Sequence, residues 1–242
     1  MRGEVALVGS GEFLPVMEEV DRRLLSGRHP VAVFLPTAAG QEGPERVDYW
    51  LDLGERHYER LGVRPVGLRV LDKHDANDGA FAEQIAGAGL VYLSGGSPAY
   101  VADTLRDSLV WKAILTAYEA GASLAGCSAG ACALSGVAGG FRELDRPVGT
   151  GLGPIDHLAV IPHFDRFDAR SPELATAFAA RHGDRFGVIG VDEDTAIVGG
   201  PYDFEVMGRQ SAVWIEADGS RQIFGPGTKI RLEPGKAARL LG

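Results

Sequence analysis

The segment Gly126-Cys127-Ser128-Ala129-Gly130 reads G-x-S-x-G, with apolar sequence before it (Ser123–Ala125) and a run of small residues after it. A serine at the centre of such a motif, where a strand gives way to a helix, can act as a nucleophile. The sharp turn exposes its hydroxyl, and glycines two residues to either side remove the side chains that would clash. The helix beginning there adds free N–H groups and a positive dipole end. Cys127 occupies an x position, one step round the turn, and reads with Cys132 as a small buried hydrophobe. Ser128 is therefore the expected nucleophile. A thiol enzyme on Cys127 is the alternative that labelling would separate.

A serine at neutral pH needs a base, a group to orient the base, and donors for the oxyanion. The chain has six histidines. His29 and His57 read as solvated positions, His74 belongs to the polar turn LDKHDAND, and His182 sits at an expected helix C-terminus. His163 differs: it follows the apolar run LAVIP at a strand end, the edge where parallel sheets present their sites. The orienting carboxylate is expected among Asp192, Glu193 and Asp194, which end the strand-like run VIGV, with Asp145 as rival. The N–H of Ala129 supplies one oxyanion donor. Ser94-Gly95-Gly96-Ser97, after another strand, supplies a second at Gly96. Arg166 and Arg170 follow His163 closely, and either could grip a substrate carboxylate through paired hydrogen bonds.

Other chemistries find little support. Gly9-Ser10-Gly11 follows the first strand, but Leu14 stands where a dinucleotide fingerprint has its third glycine. No P-loop, HExxH or paired-histidine spacing occurs, so no cofactor and no metal are expected.

The elements that must position these residues alternate along the chain. Strands are expected at Glu4–Gly9, Val31–Pro36, Val66–Leu71, Leu90–Ser94 and Ser123–Ala125. Helices are expected at Pro15–Leu25, Pro44–Leu61, Phe81–Ala88 and, in two pieces, Pro98–Ala120. Near-continuous apolar strands separated by helices predict an α/β fold with a mostly parallel sheet covered by helices on both faces. After Ser135 the strands become short, at Leu158–Ile161, Val188–Val191, Thr195–Val198, Phe204–Met207, Val213–Glu216 and Gln222–Phe224. Turn signals at Gly199-Gly200-Pro201 and Asp218-Gly219 mark a C-terminal β-meander that extends or caps the sheet. With no linker or repeat, residues 1–242 read as a single domain.

The 242 residues carry 24 Lys+Arg against 33 Asp+Glu, a net charge of −9. That balance, with no basic run, argues against nucleic acid and against anionic membranes as partners. No apolar stretch is long enough to span a bilayer, and no secretory signal is read. Two closely spaced cysteines make no disulfide framework, so a reduced, cytoplasmic protein is expected.

Taken together, VFLPTAA, LVYLSGGSPAYVADTL, LAGCSAGA, VIPHFDRF and GVIGVDEDTAIV resemble, in order, segments of the serine peptidase family of aspartyl dipeptidase (dipeptidase E) and cyanophycinase. The resemblance implies a class I glutamine amidotransferase-like, flavodoxin-like fold with Ser128 as nucleophile, His163 as base and Glu193 as orienting carboxylate. The order Ser…His…Glu separates it from α/β-hydrolases. The loop that often reads GGGNT in relatives is SGGSP here, and Pro162 precedes the histidine, as in the dipeptidase relatives, where cyanophycinases tend to carry Gln. The implied activity is hydrolysis of a small peptide, most simply a dipeptide. A cyanophycinase-like peptidase or a silent ligand- or partner-binding domain are the alternatives.

Overall fold

The computed structural model describes residues 2–139, 148–233 and 236–241. In chain order the elements are β1 (Val5–Val8), α1 (Glu18–Leu25), β2 (Val31–Leu35), α2 (Pro44–Arg60), β3 (Arg64–Gly67), α3 (Lys73–Ala76), α4 (Gly79–Glu83), β4 (Leu90–Leu93), α5 (Pro98–Leu105), α6 (Leu109–Glu119), β5 (Ser123–Cys127) and α7 (Ala129–Leu134). Then follow β6 (Leu158–Pro162), α8 (Phe164–Arg170), α9 (Pro172–His182), β7 (Gly187–Val191), β8 (Thr195–Gly199), β9 (Asp203–Gly208), β10 (Ala212–Ile215), β11 (Arg221–Phe224), β12 (Lys229–Arg231) and β13 (Arg239–Leu240).

The first five strands form the parallel centre of a nine-stranded sheet, in the order β1-β5-β4-β2-β3. Their side chains alternate between two apolar cores. Val5, Leu7, Val33, Leu35, Val91 and Leu93 face α5 and α6 through Val101, Trp111 and Ile114. Ala6, Val8, Ala32, Phe34 and Tyr92 face α1 and α2 through Val20, Leu24 and Tyr58. Both faces are dry, which is why these strands read as continuous apolar runs.

The mostly parallel sheet with helices on both faces is as expected. The later strands are divided between two sheets: β8, β9, β12 and β13 extend the main sheet antiparallel beyond β1, whereas β6, β7, β10 and β11 form a second sheet. Within this second sheet β6 and β7 are parallel, and β7-β10-β11 are antiparallel. Leu158, Val160, Ile189 and Val191 pack toward the main core, and Ala159, Ile161, Val188 and Val213 pack under Phe178 and Ala179 of α9.

Two boundaries move for local reasons. The third strand occupies Arg64–Gly67 rather than Val66–Leu71, because after Leu68 N–H reaches Phe34 the chain turns on itself, with Val70 N–H bonded to Leu68 O. The helix expected at Phe81–Ala88 starts earlier and is shorter: Asp78 caps it by accepting from Ala80 N–H.

Candidate active site

Each site segment leaves the C-terminal end of a parallel strand, as open α/β sheets present their ligands. Ser128 follows β5, with φ 51° and ψ −107°, and is the residue before α7. Its N–H is tied to Val8 O at 2.9 Å. Both motif glycines are required by close approach: a Cβ on Gly126 would lie 2.4 Å from Gly130 C, and one on Gly130 2.2 Å from Leu93 O. The small residues thus hold a strained turn against the sheet.

The parallel register of the second sheet positions the other two groups. Pro162 pairs with Val191, so His163 and the segment Asp192–Asp194 leave the sheet side by side. His163 turns the chain with φ 50° and ψ 41°, and its carbonyl accepts from Arg166 and Phe167 N–H to start α8. The ends of β1 and β7 nearly touch, for a Cβ on Gly9 would meet Asp192 O at 2.1 Å. That approach brings the two sheets' strand ends into one place.

There, His163 Nε2 lies 3.0 Å from Ser128 Oγ and His163 Nδ1 lies 3.0 Å from Glu193 Oε1. The carboxylate selects the tautomer with the proton on Nδ1, leaving Nε2 to accept from the serine hydroxyl. Glu193 is itself held on every side. Its Oε2 receives Arg166 Nε at 2.7 Å, its N–H donates to Asp165 Oδ1 at 3.0 Å, and its carbonyl accepts from Gln210 Nε2 at 2.9 Å. The neighbouring acids point elsewhere. Asp192 accepts from Ser211 N–H, and its burial raises its pKa; Asp194 pairs with Arg209 at 2.6 Å. Asp145 lies outside the described residues.

Ala129 opens α7, so its N–H is one that a helix leaves without an internal acceptor. In the loop after β4, Gly95 N–H donates to Glu12 and Ser97 N–H to Ala38 O at 2.8 Å. Gly96 N–H, between them, has no partner among the described residues. Only glycine fits there: φ is 143°, and a Cβ would lie 2.3 Å from Ala38 O. The two arginines after His163 differ. Arg166 is committed to Glu193 through Nε, whereas Arg170 is exposed in the last turn of α8, and neither lines the cleft.

The cleft over Ser128, of about 310 Å³, is walled by residues that sequence reasoning did not single out. One side is Ser10, Gly11 and Glu12 after β1. The other is α2 and the residues before it, with Glu42, Arg46, Tyr49 and Trp50. Arg46 lies over the rings of Tyr49 and Trp50 at 5.2 and 5.1 Å and pairs with Glu42 at 3.3 Å. The position of Glu12 beyond the first strand's C-terminal end was the available signal.

Cys127 is fully buried and donates its thiol to Glu12 Oε2 at 2.7 Å. Burial, and then the neighbouring Glu12, push this thiol well above its ordinary pKa; burial takes Cys132 up to about 12. Neither has the thiolate character a nucleophile needs. His57, expected in solvent, is instead fully buried, with Nε2 2.7 Å from Asp21 Oδ2. Among the described residues, Asp72, His74 and Asp75 stand close enough to share a metal ion. They lie at the start of the short helix α3, which Asp72 caps, and both carboxylates already accept backbone N–H groups.

A hydroxyl, an imidazole and a carboxylate in relay, beside unpaired backbone donors on an α/β sheet edge, are the parts of an acyl-transfer hydrolase. The sequence matches the model of peptidase family S51 over residues 5–202, and the chain belongs to that family. It is similar to the crystal structure of a peptidase from an acI-B1 Actinobacterium, with 36% identity, 96% of this chain and 97% of that one covered, and a TM-score of 0.85. A putative Peptidase E protein from Listeria monocytogenes EGD-e shares the fold at 16% identity and a TM-score of 0.60, covering 93% of this chain and 99% of that one. A comparison with curated proteins gave no match. No helix among the described residues is long and apolar enough to cross a membrane.

Proposed function

We propose that the chain is a single-domain cytoplasmic serine peptidase of the aspartyl dipeptidase type, cleaving a small peptide through an acyl-enzyme on Ser128. The observation that carries this reading is the Ser128–His163–Glu193 relay, with both contacts at 3.0 Å. Ser128 Oγ attacks the scissile carbonyl as His163 Nε2 takes its proton. Glu193 holds the ring and stabilises the imidazolium. The N–H groups of Gly96 and Ala129 receive the oxyanion, a contribution of about 3 kcal/mol per donor in the transition state. His163 then protonates the leaving amine, and water, activated by the same imidazole, releases the acyl group.

A cleft of about 310 Å³ suits a peptide of two or three residues. Arg46 lines the cleft, where Arg166 and Arg170 do not, and so is better placed to receive an acidic substrate side chain, which would draw it from its pairing with Glu42. The test is twofold. A fluorophosphonate labels wild-type protein at Ser128, and Ser128→Ala abolishes both labelling and turnover of Asp-X, Asn-X and Ala-X dipeptides. A protein that neither labels nor turns over a dipeptide library is a silent ligand-binding member of the family. Equal rates on the three dipeptides remove the acidic preference and with it the role given to Arg46.

A further inference from the structure

Glu12 is a carboxylate at 5% exposure, in the cleft wall beside the nucleophile, with no cation within ion-pair distance among the described residues. Its two contacts are both to neutral donors: Gly95 N–H to Oε1 at 3.0 Å and the Cys127 thiol to Oε2 at 2.7 Å. The thiol stays protonated, since burial holds its pKa well above the ordinary value. Buried carboxylates are normally paired, because an isolated charge in a low-dielectric site is costly. Two of about four acceptor positions on this carboxylate are used, which leaves room for a further donor from the cleft.

The location makes the unpaired charge more telling. A Cβ placed on Gly95 would lie 3.0 Å from Glu12 Oε1 and 3.6 Å from Ser128 Cβ, so carboxylate and nucleophile flank the same point. Gly96, a proposed oxyanion donor, is the next residue. A bare negative charge there would oppose the oxyanion that forms on attack. A cation bound between them cancels that opposition.

We propose that Glu12 is a specificity-determining residue that binds the free α-ammonium group of the substrate's N-terminal residue, so that the enzyme removes one residue from an unblocked amino terminus. This rests on the hydrolase reading above. In such a substrate the ammonium nitrogen stands about 2.5 Å from the scissile carbonyl carbon, one Cα away. A carbonyl at Ser128 therefore holds its own amino group within reach of the Glu12 carboxylate, which flanks the same point of the cleft. The ammonium donates to the free positions of the carboxylate, and the pair is neutral before the oxyanion develops. A peptide blocked at its N-terminus, or the interior of a longer chain, brings an amide with no charge and leaves Glu12 unpaired.

The experiment compares aminoacyl p-nitroanilides of Asp, Asn and Ala with their N-acetyl counterparts, on wild type and on Glu12→Gln, with fluorophosphonate labelling of Ser128 run alongside. Wild type is expected to favour the best free-amine substrate over its acetylated form by about 100-fold in kcat/KM or more, the scale of losing one partner of a buried charge pair. Glu12→Gln is expected to collapse that ratio by most of the same factor. Wild type that labels at Ser128 yet hydrolyses acetylated substrates equally well overturns the amine site and leaves the hydrolase intact. So does a Glu12→Gln protein that loses activity on both substrate types in equal measure, because that pattern belongs to a residue that only braces the Gly95 loop. Wild type that does not label overturns the hydrolase reading, and the amine site with it. If Glu12→Gln does not fold, Glu12→Asp takes its place, and the wild-type comparison alone still overturns the amine site when acetylated substrates are hydrolysed equally well.

Discussion

Replacing Glu193 by glutamine changes one oxygen to an NH2 group and nothing in shape, yet the surroundings fix which way the new amide must face. Arg166 Nε donates to Oε2 at 2.7 Å and can only donate, so the amide oxygen must take that position. The NH2 group then faces His163 Nδ1, 3.0 Å away. To accept from it, Nδ1 must lose its proton, and the proton moves to Nε2. There it points at Ser128 Oγ, and the base is already protonated on the wrong nitrogen. A neutralised carboxylate with the wrong tautomer costs on the order of 10⁴ in kcat in the serine-protease case.

The same geometry predicts a partial rescue. With Arg166 also changed to alanine, the glutamine amide is free to flip and present its oxygen to Nδ1. A hydrogen bond to a charged group contributes about 1.5–3 kcal/mol, discounted here because the Arg166 side chain is 65% exposed. About 1.4 kcal/mol is a tenfold rate change. The double variant should therefore run about tenfold faster than Glu193→Gln, while Arg166→Ala alone slows the wild type only a few-fold. The assay is kcat/KM on a dipeptide together with the rate of fluorophosphonate labelling. A Glu193→Gln enzyme within tenfold of wild type would refute the assigned role of the carboxylate. A double variant slower than Glu193→Gln would refute the amide argument.

Three further outcomes follow from single contacts. Gly96→Ala puts a Cβ 2.3 Å from Ala38 O at φ 143°, and should cost about 1–3 kcal/mol of stability and about 100-fold in kcat, read by thermal melts and initial rates. Cys127, held protonated by burial, should resist iodoacetamide at pH 8 in the native protein and react only after denaturation, with Cys127→Ala keeping most activity; fast alkylation that inactivates the enzyme would contradict this. His57→Ala leaves the Asp21 carboxylate buried without its partner, a loss of about 3–5 kcal/mol in a denaturant titration, and an unchanged midpoint would show that the pair is not coupled as drawn.

The legible part of the site was the part written in backbone chemistry. Gly126 and Gly130 announce a close approach, and Gly95-Gly96 a loop that can offer N–H groups; each sits after an apolar strand, so the sheet edge could be inferred. His163 stood out for the same reason. What the residues alone left open was the choice among Asp192, Glu193 and Asp194. All three leave the same strand, and only the parallel register of Pro162 with Val191 and the grip of Asp165 and Arg166 turn one toward the imidazole. The second sheet was illegible for a related reason: strands β8 and β10 look alike in sequence, yet one pairs with β1 and the other with β7. His57 read as solvated because the polar face of α2 hid a buried partner, Asp21, 36 residues earlier. Glu12 was missed because its meaning lies in what it does not touch.

The backbone itself shows how the chain concentrates its strain. Among the described residues, the non-glycine positions with positive φ are Phe13, Asp107, Ser128, His163 and Asp194. Two of them are Ser128 and His163, the proposed nucleophile and base, and two more directly follow Glu12 and Glu193. Each such turn costs on the order of 1–3 kcal/mol, and it persists only where its surroundings over-determine it. Those surroundings are at hand: β1, β5 and β7 are fully buried strands whose ends are pinned through Ser128 N–H on Val8 O, Gly9 N–H on Thr195 O at the start of β8, and the close approach of Gly9 to Asp192. The strain sits where rigid strands stop: at Ser128 and His163 the positive-φ residue itself carries its side chain across the edge, and at Phe13 and Asp194 it turns the chain just after Glu12 and Glu193. Four segments far apart in sequence use this same device. For that reason the hydroxyl, the imidazole and the two carboxylates meet at one cleft, with no long loop needed to carry any of them there.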